Sequence, residues 1–207
     1  MIILWDFNGT IIDDVDICLK AEQDILNRLN MGSVVSREEY LELFEFPVIK
    51  YYEKIGFDFS ILDFNEISKW FIEYYDSYKN EYKLNDGVLD CIKQSTSKGN
   101  KNIIISASEQ NMLVSQCKQL SIEKYFDEIC GINNINAHSK VEMAKNWLKN
   151  SGYNNEEMIF IGDSVHDYEV AEELNVKCIL VASGHQSKRK LMEVCDEVYN
   201  DFSEVNL

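Results

Sequence analysis

The chain has 207 residues, room for one large domain or a core with a modest insertion. Its formal net charge of -16 at pH 7 repels nucleic-acid phosphates over most of the surface, and no apolar run approaches the ~20 residues that would cross a membrane. The six cysteines are scattered with no Cys-x-x-Cys pair, which reads as reduced, mostly buried thiols rather than a disulfide scaffold or a zinc site.

In chain order, the first element is the apolar run "IILW" over residues 2–5, of strand length. It ends in "DFNGT", a carboxylate (Asp6), then an Asn-Gly turn. The opening stretch has no basic region before its first charge, so it does not read as a signal peptide, and a cytoplasmic location is the default expectation. Residues 15–82 break the strand rhythm and read as amphipathic helices over about 15–30, 36–45, 47–55 and 63–82, with Pro47 suited to a helix start and "GFDFS" a loop. This segment holds 14 of the 24 aromatic residues, all between Tyr40 and Tyr82, and they read first as the core of a small helical bundle. A sharper reading has Phe44, Phe46 or Tyr51 lining a substrate pocket.

Beyond it the spacing predicts helix over 86–98, strand over 102–106 ("NIIIS"), and helices over 109–120 and 139–151. Strand 158–162 ("MIFIG"), helix 165–174, strand 177–182 ("KCILVA") and an edge strand in 196–200 ("DEVYN") follow. Short continuous apolar runs alternating with helices argue for strands buried on both faces of a parallel sheet. The expected fold is α/β: a Rossmann-like three-layer core from 1–14 and 83–207, with an all-helical cap inserted at 15–82.

In such a sheet ligands collect at the carboxyl ends of the strands. The first strand leaves Asp6, Asn8, Gly9 and Thr10 there; "NIIIS" leaves Ser106, then Ala107 and Ser108. "GDSVHD" leaves Asp163 and, one helical turn on, Asp167; "VASGHQ" leaves Ser183, Gly184 and His185; Lys140 heads the helix before "MIFIG". Three aspartates converging on one rim would repel one another, so the cluster asks for a hard cation with oxygen ligands, and magnesium fits best. A strand-end carboxylate can also act as a nucleophile.

The ordered set Asp-x-Asn-Gly-Thr, strand-Ser, Lys and Gly-Asp-x-x-x-Asp resembles the haloacid dehalogenase-like hydrolase superfamily, closest to its phosphoglycolate-phosphatase-like members with a small helical cap. The resemblance covers essentially the whole chain. It implies a Mg2+-dependent phosphatase acting on a small phosphomonoester. Asp6 would be the nucleophile that becomes phosphorylated, and Ser106 the hydroxyl on a phosphate oxygen. Lys140 would bridge nucleophile and phosphate. Asp6, Asp163 and the backbone carbonyl of Asn8 would hold the metal, with Asp167 a ligand or its supporting partner. Thr10 would support the turn; Gly9, Thr10, Ala107, Ser108 and His185 are the expected substrate contacts. The expected partner is a small phosphorylated metabolite, with no nucleic acid and no membrane, on a monomer or small homo-oligomer.

Position 8 departs from the pattern, since phosphatases of this superfamily usually carry an aspartate there as general acid and base. Asn8 cannot exchange that proton, a contribution typically worth ~10²–10⁴-fold. Four readings stay open. Another group, His185 or His166 (or, less, His138), moves the proton. The substrate has a good leaving group, such as an acyl phosphate. The reaction is phosphonatase-like carbon–phosphorus cleavage using a cap lysine, Lys50 or Lys54. Or the protein is a weakly catalytic phosphoryl binder. The residues joining cap and core, near 13–16 and 82–86, are the expected hinges of a lid.

Overall fold

A computed structural model describes residues 1–132 and 140–207. Among the described residues, one six-stranded all-parallel sheet has the order β3-β2-β1-β4-β5-β6. The strands are β1 (Ile2–Trp5), β2 (Lys101–Glu109), β3 (Glu128–Ile132), β4 (Met158–Gly162), β5 (Lys177–Val181) and β6 (Val198–Tyr199). Alternation along β1 divides the core. Ile3 and Trp5 face α5 (Val88–Ser97) and α6 (Gln110–Gln119), while Ile2 and Leu4 face α7 (Lys140–Ser151) and α8 (Val165–Leu174). The three-layer α/β core expected from the apolar runs is therefore present. β3 was not among the expected strands. Its sequence, "EICGI", has an acid and a glycine and runs from exposed through half-buried to buried, because an edge strand is covered less than a central one.

Between β1 and α5 the chain forms α1 (Val15–Leu29), α2 (Arg37–Leu43), α3 (Val48–Lys54) and α4 (Phe64–Ser77). Ser36 and Glu39 form a reciprocal capping box on α2, and Pro47 stands at the N-cap of α3, as its fixed φ suits. Aromatics fill the module: Tyr52 meets Phe57 at 4.9 Å and Tyr40 meets Tyr51 at 5.2 Å between ring centroids. Tyr51 is fully buried, so it belongs to this packing rather than to an open pocket wall. The outgoing and returning chains run side by side: Asp13 N–H donates to Lys83 O and Asn85 N–H to Ile11 O, each at 2.9 Å.

Glu22 of α1 is buried and accepts a hydrogen bond from the Tyr51 hydroxyl at 2.8 Å. Burial pushes its carboxyl from 4.5 up to about 8, against the pull of Tyr51 and His185. A folded-state value above the unfolded one means that the native state holds the extra proton. The stability it contributes is complete at acid pH and is lost as pH rises from about 4.5 through about 8. Glu22→Gln keeps an acceptor for Tyr51. We expect it to melt near the wild-type temperature at about pH 4 and above it at about pH 9; parallel melting curves across that range would show that Glu22 does not carry the slope.

Candidate active site

The strand order reverses between β1 and β4, and the polar residues singled out above gather at the carboxyl ends of the strands flanking that point. Asp6 follows β1 directly, and its N–H continues the ladder by donating to Ile161 O at 2.9 Å. The turn after it is closed by Ile11 and Ile12 N–H groups on Phe7 O. Gly9 takes φ +77°, and a Cβ there would collide with the carboxylate of Asp163. Gly184 lies equally close to Asp163 on the other side. These two glycines let three loops close around one aspartate.

Lys140 Nζ, at the start of α7, is buried and donates to Asp6 Oδ1 and to Asp167 Oδ1, the latter at 2.5 Å. The other oxygen of Asp167 accepts Asp163 N–H, Ser164 N–H and Ser164 Oγ at 3.1, 3.0 and 2.6 Å. Asp167 is thus occupied as a helix cap and lysine partner, with Ser164 completing a capping box on α8. Asp163 accepts Thr10 Oγ1 at 2.8 Å and His185 N–H at 2.7 Å. Thr10 therefore ties the first loop to β4 rather than only supporting its own turn. Asn85 holds that turn from below, donating to Gly9 O and Thr10 O at 2.6 and 2.9 Å.

Asp6, Asp163 and Asp167 offer oxygens within 4.8 Å of one another. Burial raises the carboxyls of Asp6, to about 8, and Asp163, to about 6, while Lys140 holds Asp167 below the usual range despite its burial. One lysine does not balance three buried carboxylates. Among the described residues no hydrogen bond reaches Asp6 Oδ2 or the Asn8 carbonyl. With the clustered carboxylates of Asp6 and Asp163, these two unengaged oxygens make a hard, all-oxygen donor set, which fits magnesium.

The Asn8 side chain is held at both ends. Its Nδ2 donates to Asp14 Oδ2 at 2.7 Å and to the Tyr75 hydroxyl at 3.1 Å, and its Oδ1 accepts from Ser108 Oγ at 2.7 Å. Asp14 also accepts Gly9 N–H at 2.9 Å and the Tyr75 hydroxyl at 2.7 Å, and pairs with His185 Nε2 at 3.2 Å. His185 Nδ1 lies 2.8 Å from the hydroxyl of Tyr40. Burial alone would lower the His185 imidazole; Asp14 outweighs it and pushes it up to about 9, so the ring is a cation at neutral pH. Burial likewise opposes the Asp14 carboxylate, yet His185 and the donors around it hold it below the usual range.

Ser106 and Ser108 lie within the long β2, with Ala107 between them, and Ser108 N–H donates to Ser106 Oγ at 3.1 Å. That leaves the Ser106 hydroxyl proton for a ligand. His166 instead turns to Glu169 at 2.9 Å and stacks near Phe46. Lys54 pairs with Glu45 at 3.1 Å on the surface. His138 lies outside the described residues. Asp14, Tyr40, Tyr75 and Asn85 were not among the expected site residues. The paired acids of "IIDD" and the polar "LND" where the chain returns were the only sequence signals for two of them, and the tyrosines were hidden among many.

The family model described as haloacid dehalogenase-like hydrolase matches residues 3–181. The chain belongs to this family. Among curated relatives, this hydrolase is 24% identical over 172 residues to "Pyrophosphatase PpaX" of Listeria monocytogenes serotype 4a, covering 82% of this chain and 77% of the relative. It is 24% identical over 199 residues to "Phosphoglycolate phosphatase" of Pseudomonas fluorescens, covering 93% and 73%. A haloacid dehalogenase-like family hydrolase from Streptococcus pneumoniae shares its fold with TM-score 0.77 at 19% identity, over 98% of this chain and 94% of that one. CbbY from Rhodobacter sphaeroides, solved with phosphate, matches with TM-score 0.77 at 19% identity, over 99% and 96%. Among the described residues no helix is long and apolar enough to cross a membrane.

Proposed function

We propose that this hydrolase is a magnesium-dependent phosphatase that cleaves a small phosphorylated metabolite through a phosphorylated Asp6, in the manner of phosphoglycolate phosphatases. The observation that carries the reading is Asp6, directly after β1, with one oxygen on Lys140 and its carboxylate clustered with those of Asp163 and Asp167. One carboxylate oxygen of Asp6 attacks phosphorus as the leaving group departs, the other remains for the metal, and Lys140 beside them faces the incoming phosphoryl oxygens. Ser106 donates its hydroxyl to one of those oxygens. Asp6, Asp163 and the Asn8 carbonyl would hold the metal, which would neutralise phosphoryl charge. Asp167 positions Lys140 and the backbone of Asp163. Gly9, Thr10, Ala107 and Ser108 shape the phosphate cradle.

Asn8 brings no proton to the leaving group. That favours a group that departs as a stable anion, as from a phosphoric anhydride or acyl phosphate, and the Listeria relatives carry the name pyrophosphatase. The helical module, residues 15–82 on the core 1–14 and 83–207, acts as a lid that excludes water and selects the substrate. Tyr40 and Tyr75 carry it to the site. With 14 acidic and 7 basic residues it offers no broad phosphate clamp of its own, in keeping with a small substrate.

The test is phosphate release from pyrophosphate, acyl phosphates and phosphomonoesters, with magnesium and with chelator. We expect turnover that needs the metal, prefers the anhydrides, shows a burst of leaving group, and falls by about 10⁴-fold or more in Asp6→Asn. Unchanged turnover in Asp6→Asn would remove the covalent route.

A further inference from the structure

Away from that site, two cysteines meet. Cys178 lies on β5, and Cys195 follows α9 (Lys188–Leu191) on the way to β6. Their side chains pack in one apolar cluster with Leu180 and Leu191. Cys195 Sγ also lies 3.7 Å from Cys178 O and 3.6 Å from Glu197 O. The backbones are clamped beside them, with Leu180 N–H donating to Glu197 O at 3.0 Å. Both cysteines line a cleft of about 280 Å3 with Tyr168, Glu172, Val194 and Asp196. Cys178 is half-buried in the wall of this cleft and Cys195 is 7% exposed.

The segment enclosed by the pair is the one that joins site to module. His185 N–H holds Asp163; Gln186 links Val165 N–H to Phe44 O at 2.7 and 2.9 Å; Ser187 N–H donates to Leu41 O at 3.2 Å. Lys190 Nζ donates to Phe44 O at 2.7 Å, and Arg189 pairs with Glu42. A bond between the cysteines would tie both ends of this segment together at the sheet.

We propose that Cys178 and Cys195 are a redox modification site, converted by a peroxide into a disulfide that staples the base of the 182–187 loop and is reopened by thiol reductants. The Cys195 thiolate attacks a peroxide oxygen, forming S–OH as the O–O bond breaks and hydroxide leaves. The Cys178 thiol then attacks that sulfur, forming S–S as water leaves. The Cys178 proton leaves in that water and the proton that Cys195 lost on ionising neutralises the hydroxide, so two thiols and one hydrogen peroxide give one disulfide and two waters. Cys195 is the first nucleophile. The neighbouring Cys178 brings its thiol from 9.0 down to about 7 against burial, whereas Cys195 and burial raise Cys178. Burial raises the thiols of Cys18, Cys91, Cys117 and Cys130, with no second cysteine to offset it.

The experiment is to treat the reduced full chain with stoichiometric hydrogen peroxide, titrate thiols after denaturation and map peptides by mass spectrometry without reduction. The expected result is a loss of two thiols and one linked peptide pair joining Cys178 to Cys195, restored by dithiothreitol. Cys178→Ser should stop at a sulfenic acid on Cys195, trapped by dimedone. Loss of thiols without this link, a link between other cysteines, or full thiol retention would each overturn the proposal. The wild-type map decides it without relying on how well the variants fold, and none of these readouts depends on phosphatase activity.

Discussion

Lys140→Met is expected to lose both activity and stability. Its ammonium is buried between Asp6 and Asp167, and both carboxylates reach it. Removing it leaves the buried Asp167 carboxylate, which Lys140 holds ionised, without its partner, which costs about 3–5 kcal/mol for a pair of this kind. The carboxyls then take up protons, and because their values rise further in the folded state, the variant should recover stability as pH falls toward about 4. Turnover should fall by about 10³-fold or more, since the group that faces the phosphoryl oxygens is gone. Chemical denaturation at about pH 7 and pH 4, beside phosphate release, checks both parts. A variant as stable as the wild type at neutral pH would show that the two aspartates are neutral in the folded protein.

The second large effect concerns Asn8. Asn8→Asp is expected to damage this chain instead of repairing it toward the usual phosphatase pattern. The new carboxylate would stand where Nδ2 now donates to Asp14 Oδ2 at 2.7 Å. Two carboxylates at that separation cannot both ionise, so one keeps a proton with a raised value. The single substitution should cost about 1–3 kcal/mol at neutral pH, with the loss shrinking as pH falls through the raised value. Adding Asp14→Asn exchanges donor and acceptor and restores the hydrogen bond, although His185 loses its carboxylate. A double-mutant cycle by thermal or chemical unfolding should then show a coupling of about 1–3 kcal/mol. The double variant should also hydrolyse phosphomonoesters with poor leaving groups roughly tenfold or more faster than the wild type, because an ionisable acid now stands at position 8. A stable and fully active single variant would mean that Asp14 does not dictate the amide at position 8.

That matched pair also explains why His185, expected as a free proton carrier, is differently engaged. Its two ring nitrogens are taken by Asp14 and Tyr40, and its backbone N–H by Asp163. It stands one link behind Asn8, as the cation that keeps Asp14 ionised and oriented.

The sequence by itself determined five of the six strands, the longer helices and the gathering of polar residues at one rim of the sheet. Its signals there are local: apolar runs of strand length, helical periodicity, and polar residues placed where each strand ends. Asp6, Ser106, Asp163 and Asp167 could be read because strand direction alone carries them to one rim, and Lys140 because it heads a helix on that rim. The edge strand β3 escaped because partial burial leaves its pattern mixed. Only the tertiary structure decided what surrounds position 8. Asp14 is six residues from Asn8, but Tyr75, Ser108 and His185 come from a distant helix, a neighbouring strand and the far end of the core. Their meeting depends on how the helical module docks on the sheet. A hydrogen bond between residues 67 or 100 positions apart leaves no periodicity for composition or spacing to reveal.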